Sequence, residues 1–163
     1  MRLSSRGPHA RLVRRLRLVA LIACLGALPA WSVTAQVTIS QVQPLAFGYL
    51  TQGLTEVVPY TDTFRRGVVT LDGTSQVWIR VVLPVSLLSP QGVAIPLQFL
   101  TGDIASQENG RPALAFDPAT STRVNLGRGT ASLFIGGRAV PATNQPAGLY
   151  TATVTVIVSL TKF

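Results

Sequence analysis

From Tyr150 onward the chain alternates almost without error. Tyr150, Ala152, Val154, Val156, Val158 and Leu160 fall on one side, and Thr151, Thr153, Thr155, Ser159 and Thr161 on the other. A period of two built from Val and Thr is the pattern of a β-strand with one buried face, and a helix cannot satisfy it. The run is long for a strand and holds neither Gly nor Pro, which predicts a central place in a sheet. It is preceded by Asn144-Gln145-Pro146-Ala147-Gly148, in which Pro fixes one backbone angle and Gly frees another, so a turn is expected there.

The rest of the chain repeats this grammar in shorter pieces. Gln36–Gln43 is a Thr/Val/Ile run suited to a first strand or a loose arm, and Leu54–Val58 reads as an edge strand because Pro59 follows it. Val68–Leu71 and Gln76–Leu83 flank Asp72-Gly73, the strongest hairpin signal in the sequence. In the second arm Val77, Ile79, Val81 and Leu83 share a face, leaving Trp78 and Arg80 opposite. That pair is either a binding platform or, more ordinarily, a ring covered by a guanidinium on an open sheet. Val93, Ile95, Leu97 and Phe99 alternate again, with Pro96 predicting an edge or a bulge. Thr101–Pro112 is expected to be a polar loop. Its Asp103, Glu108 and Asn109 lack the regular acidic spacing of a calcium loop, and a solvated loop is the plainer reading. Ala113–Phe116, Thr122–Leu126 and Thr130–Ile135 supply further short strands. With no helical periodicity, heptads or internal repeat, seven to nine such strands predict a single all-β domain, an antiparallel β-sandwich.

The amino terminus obeys a different logic. Arg2, Arg6, Arg11, Arg14, Arg15 and Arg17 precede an apolar stretch, Leu18–Ala30, which is long enough for an export signal and too short to span a bilayer. Val33-Thr34-Ala35 places cleavage before Gln36. Residues 1–35 therefore read as a signal peptide, and 36–163 as the mature domain with no transmembrane span. The Arg14-Arg15 pair is a poor twin-arginine signal given the Leu16-Arg17-Leu18 that follows. A lipid anchor at Cys24 is the lesser alternative, because the residues after it stay apolar where a lipoprotein carries a polar tether. The expected location is the periplasm, the cell surface or the medium.

Cleavage changes what the charge means. The whole chain has a net charge of +8, but the mature part keeps eight basic and six acidic residues, a net of +2. The remaining arginines are scattered, so nucleic acid is not an expected partner. The only Cys and the only His, Cys24 and His9, lie in the leader. The mature chain can therefore form no disulfide, Cys/His zinc site or histidine triad, and its stability rests on its core. No cofactor or metal site is expected, no catalytic residues are nominated, and an enzyme is the least supported class.

Two stretches carry a resemblance. Pro44-Leu45-Ala46-Phe47-Gly48 resembles a PLxFG opening. Phe134-Ile135-Gly136-Gly137, with Asn144-Gln145-Pro146-Ala147-Gly148-Leu149-Tyr150-Thr151-Ala152-Thr153-Val154-Thr155-Val156, resembles a "GG…NQPAGxYTGTxTVTV" ending. Together they are similar to bacterial secreted domain-of-unknown-function family 4402, itself similar to spore coat protein U and chaperone–usher pilin domains. The stretch from Trp78 to Arg123 does not match closely, and the family offers no catalytic residues to transfer. The resemblance implies an immunoglobulin-like, pilin-like sandwich with a structural or adhesive role, as a pilus- or coat-like subunit. It also implies strand complementation, in which a sandwich is completed by a strand from a periplasmic chaperone or another copy. On that expectation Val37, Ile39 and Val42 form a strand-exchange arm, and Tyr150, Val154, Val156 and Val158 an acceptor edge. The competing expectation is that the arm pairs within its own sheet and the domain is complete. A second function class is a carbohydrate- or other ligand-binding module, in which Trp78, Tyr49, Tyr60 or Tyr150 stacks on a ligand.

Overall fold

The computed structural model describes residues 36–127 and 129–163, so the expected signal peptide, the alternative lipid anchor at Cys24 and Arg128 lie outside the described residues. The fold is all-β. Twelve strands run in the order β1 (Val37–Gln43), β2 (Glu56–Val58), β3 (Gly67–Gly73), β4 (Gln76–Val82), β5 (Ser86–Leu88), β6 (Ala94–Gln98), β7 (Ile104–Glu108), β8 (Leu114–Phe116), β9 (Thr122–Asn125), β10 (Gly129–Ile135), β11 (Gly137–Ala139) and β12 (Thr155–Ser159). Among the described residues they form three sheets, ordered β1-β3-β10-β7-β8, β2-β11-β6-β5 and β12-β4-β9, and every pairing is antiparallel. Among the described residues, no helix is long and apolar enough to cross a membrane.

The five-stranded and three-stranded sheets pack face to face. Leu71 of β3, Ile104 of β7 and Leu133 of β10 meet Val77 and Ile79 of β4 and Val124 of β9 in one buried cluster. Each of these strands alternates as its sequence requires; β4 buries Val77, Ile79 and Val81 and turns Trp78 and Arg80 outward. A smaller cluster of Phe47, Val58, Ile95 and Ala139 underlies the four-stranded sheet, and Leu45 packs against both. The two cores are joined because one stretch of chain serves two sheets. β10 continues through Gly136 into β11, where a Cβ at 136 would overlap the Val58 carbonyl oxygen and one at 137 would lie 2.6 Å from the Phe99 ring. Only glycine lets these backbones approach so closely.

Four sequence expectations are corrected. Asp72-Gly73 does not turn a hairpin: both residues sit inside β3, with Asp72 opposite Thr38 and Thr130, and β4 departs into the other sheet. The inward rows of the two strands, Leu71 on one and Val77 and Ile79 on the other, pack against each other across the core, which strands of one hairpin cannot do. The Tyr150–Leu160 run is not one central strand. Its ladder covers Thr155–Ser159 and lies at the edge of the three-stranded sheet, because β4 stops at Val82 just before Pro84 and leaves residues 152–154 without a partner. Pro96 is neither at an edge nor in a bulge. β6 lies between β11 and β5, and the β11 ladder ends at Leu97, so Pro96 needs no donor there; its carbonyl accepts from Val140 N at 2.9 Å. Finally, Thr101–Pro112 is not a loop throughout, since it contains β7. Ile104, Ala105 and Ser106 are buried, and two of the three are too small to register as a hydrophobic run.

Candidate strand-binding groove

β1 and β12 are edge strands of different sheets, and they lie on the same side of the sandwich. Val37 and Ile39 of β1 line a small cleft of about 190 Å³ together with Val77, Val158, Ser159 and Leu160. Next to the same two strands opens a groove of about 920 Å³, bordered by Gln41 and Gln43 of β1 on one wall and by Tyr150, Val154 and Val156 on the other. Among the described residues β1 pairs only with β3 and β12 only with β4. Each strand therefore keeps one edge of N–H and C=O groups free.

The chemistry of the larger groove is narrow. Its floor is Leu45, Phe47, Val69, Leu97, Phe99 and Ile135, and its rim carries Tyr49 and Leu149. Tyr49 is fully exposed and Leu149 is 74% exposed. Among the described residues, no Asp, Glu, Lys, Arg or His lines it. A charged side chain entering such a wall would lose hydration with nothing to pair it, a cost of several kcal/mol on the order set by ion burial. The groove is built to admit neutral occupants.

Two devices hold its walls. The first is Gln43, whose Nε2 donates to the carbonyls of Phe64 (2.8 Å) and Arg66 (2.9 Å) and reaches that of Thr63 (3.4 Å). This stitches β1 to the loop before β3, and Ala46 N donates to Arg65 O at 2.8 Å beside it. The loop is itself braced by Arg65, whose guanidinium bridges Glu56 and Asp62. The hydrogen bond from Arg65 is the main cause holding the Asp62 carboxyl below its usual range, reinforced by the backbone N–H of Phe64. The same pairing raises Arg65. The second device is the Asn144–Gly148 turn. Gln145, 7% exposed, donates from Nε2 to the Tyr150 hydroxyl (2.9 Å), which donates to Pro146 O (2.7 Å), while Gln145 Oε1 accepts from Ala142 N (3.3 Å). Thr151 then forms a two-way bridge with Leu88, fixing the irregular stretch between Tyr150 and β12.

Of the proposed arm, Val37 packs against the main core, Ile39 faces the small cleft, and Val42 stands at a bulge between Gln41 and Gln43, 66% exposed. The three do not share a face, and the arm pairs with its own β3 from Val37 to Gln43. The proposed acceptor residues do gather: Tyr150, Val154 and Val156 on the large groove, Val158 on the small cleft. Of the aromatic residues considered for ligand stacking, Tyr49 alone is fully exposed. Tyr150 is tied by its hydroxyl, Tyr60 is half-buried, and Trp78 lies under the Lys162 ammonium, 5.5 Å from its ring, so lysine and not Arg80 supplies the cation. The acids once considered for calcium serve protein donors: Asp103, buried, accepts from Leu100 N at 2.7 Å and faces Arg138 at 3.6 Å, and Glu108 accepts from Asn125 N at 2.9 Å. Sequence reasoning named Tyr49 as a stacking residue but did not place Leu45, Phe47 or Leu149 in a site. The signal available was apolar side chains standing inside Gly/Pro-marked turns, where no strand period accounts for them.

Comparison of the chain with protein-family profiles, curated proteins and solved structures returns no match.

Proposed function

We propose that this protein is an exported, non-enzymatic structural or adhesive β-sandwich, of the immunoglobulin-like kind that builds pili or coats, and that it associates by taking an extended segment into the groove between β1 and residues 150–159. The observation that carries the reading is the uncharged groove of about 920 Å³ lying between two free strand edges. An added strand would hydrogen-bond along a free edge and set alternate side chains into the groove, the mode in which backbone bonds give affinity and pockets give selectivity. Burying one valine contributes only about 1.5 kcal/mol. Useful affinity therefore needs several alternating apolar residues, as a strand supplies and a single anchor does not. The resemblance to domain family 4402, to spore coat protein U and to pilin domains points the same way, with a second copy or a periplasmic chaperone as donor.

Tyr49 supports one other reading, a module that binds a neutral ligand such as a sugar, because a fully exposed ring at the rim of an uncharged groove suits stacking. The test is the size distribution of the exported protein by light scattering, beside a variant with Tyr49→Glu and Leu149→Glu. Larger species in the first and monomer in the second support assembly. Monomer in both, with glycan binding that the double variant loses, supports the ligand module.

A further inference from the structure

We propose that Asn109 is a site of spontaneous covalent modification, losing its amide through a cyclic imide formed with Gly110. The inference is independent of the assembly reading and starts from local chemistry. Of the three asparagines in residues 36–163, only Asn109 is followed by glycine. A glycine after asparagine leaves the following backbone nitrogen unshielded, since no Cβ covers it.

The structure adds three observations to that dipeptide. Asn109 and Gly110 form an exposed turn after β7, and Asn109 has φ +45°, the one non-glycine residue with a positive φ among those described. Such a backbone is strained in an L-residue, and relief of the turn favours its opening. Nothing lies within 4 Å of where a Gly110 Cβ would stand, so water and base reach the peptide freely. The Asn109 side chain makes one long bond, from Nδ2 to Asn125 O at 3.3 Å, with Oδ1 against Gly129, while its backbone N donates to Thr130 O at 2.9 Å. Asp72-Gly73 provides the contrast within the same molecule. That pair can cyclise by the same route, yet it is locked in β3 between two ladders, with Gly73 buried.

The reaction balances without any outside oxidant or reductant. The Gly110 nitrogen attacks Asn109 Cγ, a nitrogen–Cγ bond forms, the Cγ–Nδ2 bond breaks, and the amide leaves as ammonia carrying the proton shed by Gly110. Water then opens the five-membered imide. Cleavage at Cγ gives aspartate; cleavage at the backbone carbonyl gives isoaspartate, which lengthens the main chain by one carbon. The aspartate product sets a carboxylate where Nδ2 had donated to the Asn125 carbonyl, next to Glu108, whereas isoaspartate takes Cγ into the main chain and frees the former backbone carboxyl; both lose the Nδ2 donor. In the aspartate product a donor is exchanged for a negative charge facing an acceptor and a carboxylate, so the turn between β9 and β10 loosens.

The test is peptide mass mapping of the exported protein held at neutral and at mildly alkaline pH, with methyl labelling by an isoaspartate-specific methyltransferase. The expected result is a gain of about one mass unit on the peptide containing 109–110, faster at the higher pH, with methyl label on the same peptide and none at Asn125, Asn144 or Asp72. Asn109→Gln abolishes the shift while keeping an amide, and Gly110→Ala slows it; the glutamine variant suffices if alanine at φ +75° prevents folding. The proposal is overturned if Asn109 stays intact in the folded protein while the same peptide, released by protease, converts. A shift that persists in Asn109→Gln overturns it equally.

Discussion

Ile39 and Val158 face one cleft from strands of different sheets, with no ladder joining β1 to β12. The sandwich is thus open along one side. Its two walls carry free backbone edges, and its inner surface is apolar. The consequences reach the closing of the groove, its loop, its glycine hinge and its outer face.

Gly136 marks where one chain crosses from one sheet to the next, and any side chain there meets backbone and not a yielding side chain. Gly136→Ala is expected to cost more than about 3 kcal/mol or to prevent folding, because a new Cβ overlaps Val58 O and falls 2.7 Å from Tyr60 N. Gly92→Ala is the control. It has φ +81° with open space around it, so it carries backbone strain alone, about 1 kcal/mol. Thermal unfolding of the two variants checks the difference.

Asp62 links the loop under β1 to pH. Its folded carboxyl is held below the ordinary aspartate value of 3.8, first by the Arg65 hydrogen bond. A depressed carboxyl contributes stability above its unfolded pKa, and that contribution disappears as pH falls through the lower folded value. Stability is therefore expected to drop below about pH 3.8, and Asp62→Asn is expected to flatten that part of the profile while weakening the protein at neutral pH. Denaturant midpoints across the acid range read both effects. A profile identical in the variant would remove Asp62 from the account.

On the outer face of β4, Trp78 stands between Arg123 and Ser159 across its two ladders, with Lys162 above the ring. Lys162→Ala is expected to shift the Trp78 emission to longer wavelength and to cost about 0.5 kcal/mol. In a chain beginning at Gln36 this is the only tryptophan, so the fluorescence reports this site alone.

Much of this architecture was legible in the residues because period two is a local property. The inward rows of β4 and β6, and the bounds of β8 and β9 apart from Ala113 and Leu126, follow from alternation and turn residues alone. Strand neighbours are not local. Asp72-Gly73 looks the same whether the chain folds back within a sheet or crosses to the opposite one, and only Leu71 meeting Val77 and Ile79 across the core distinguishes them. The end of the β12 ladder is set by Pro84, some seventy residues earlier in the chain. β7 was hidden because Ala105 and Ser106 are buried by being small, not by being hydrophobic. The acceptor side of the groove was readable from its Val/Thr alternation. Its floor and the Leu149 part of its rim were not, since Leu45, Phe47 and Leu149 belong to turns that no periodicity explains; Tyr49 was readable only as an aromatic ring suited to stacking.

The central claim is that the open side of the sandwich takes an uncharged extended strand. The most direct measurement is light scattering of residues 36–163 over a range of concentrations, with and without denaturant, beside the Tyr49→Glu, Leu149→Glu variant. Both residues are exposed, so neither change should cost more than the roughly 0.5 kcal/mol of stability typical of surface substitutions. The account predicts concentration-dependent assemblies in the wild-type protein and a folded monomer of the same stability in the variant. Assemblies of equal size and strength in both would contradict it.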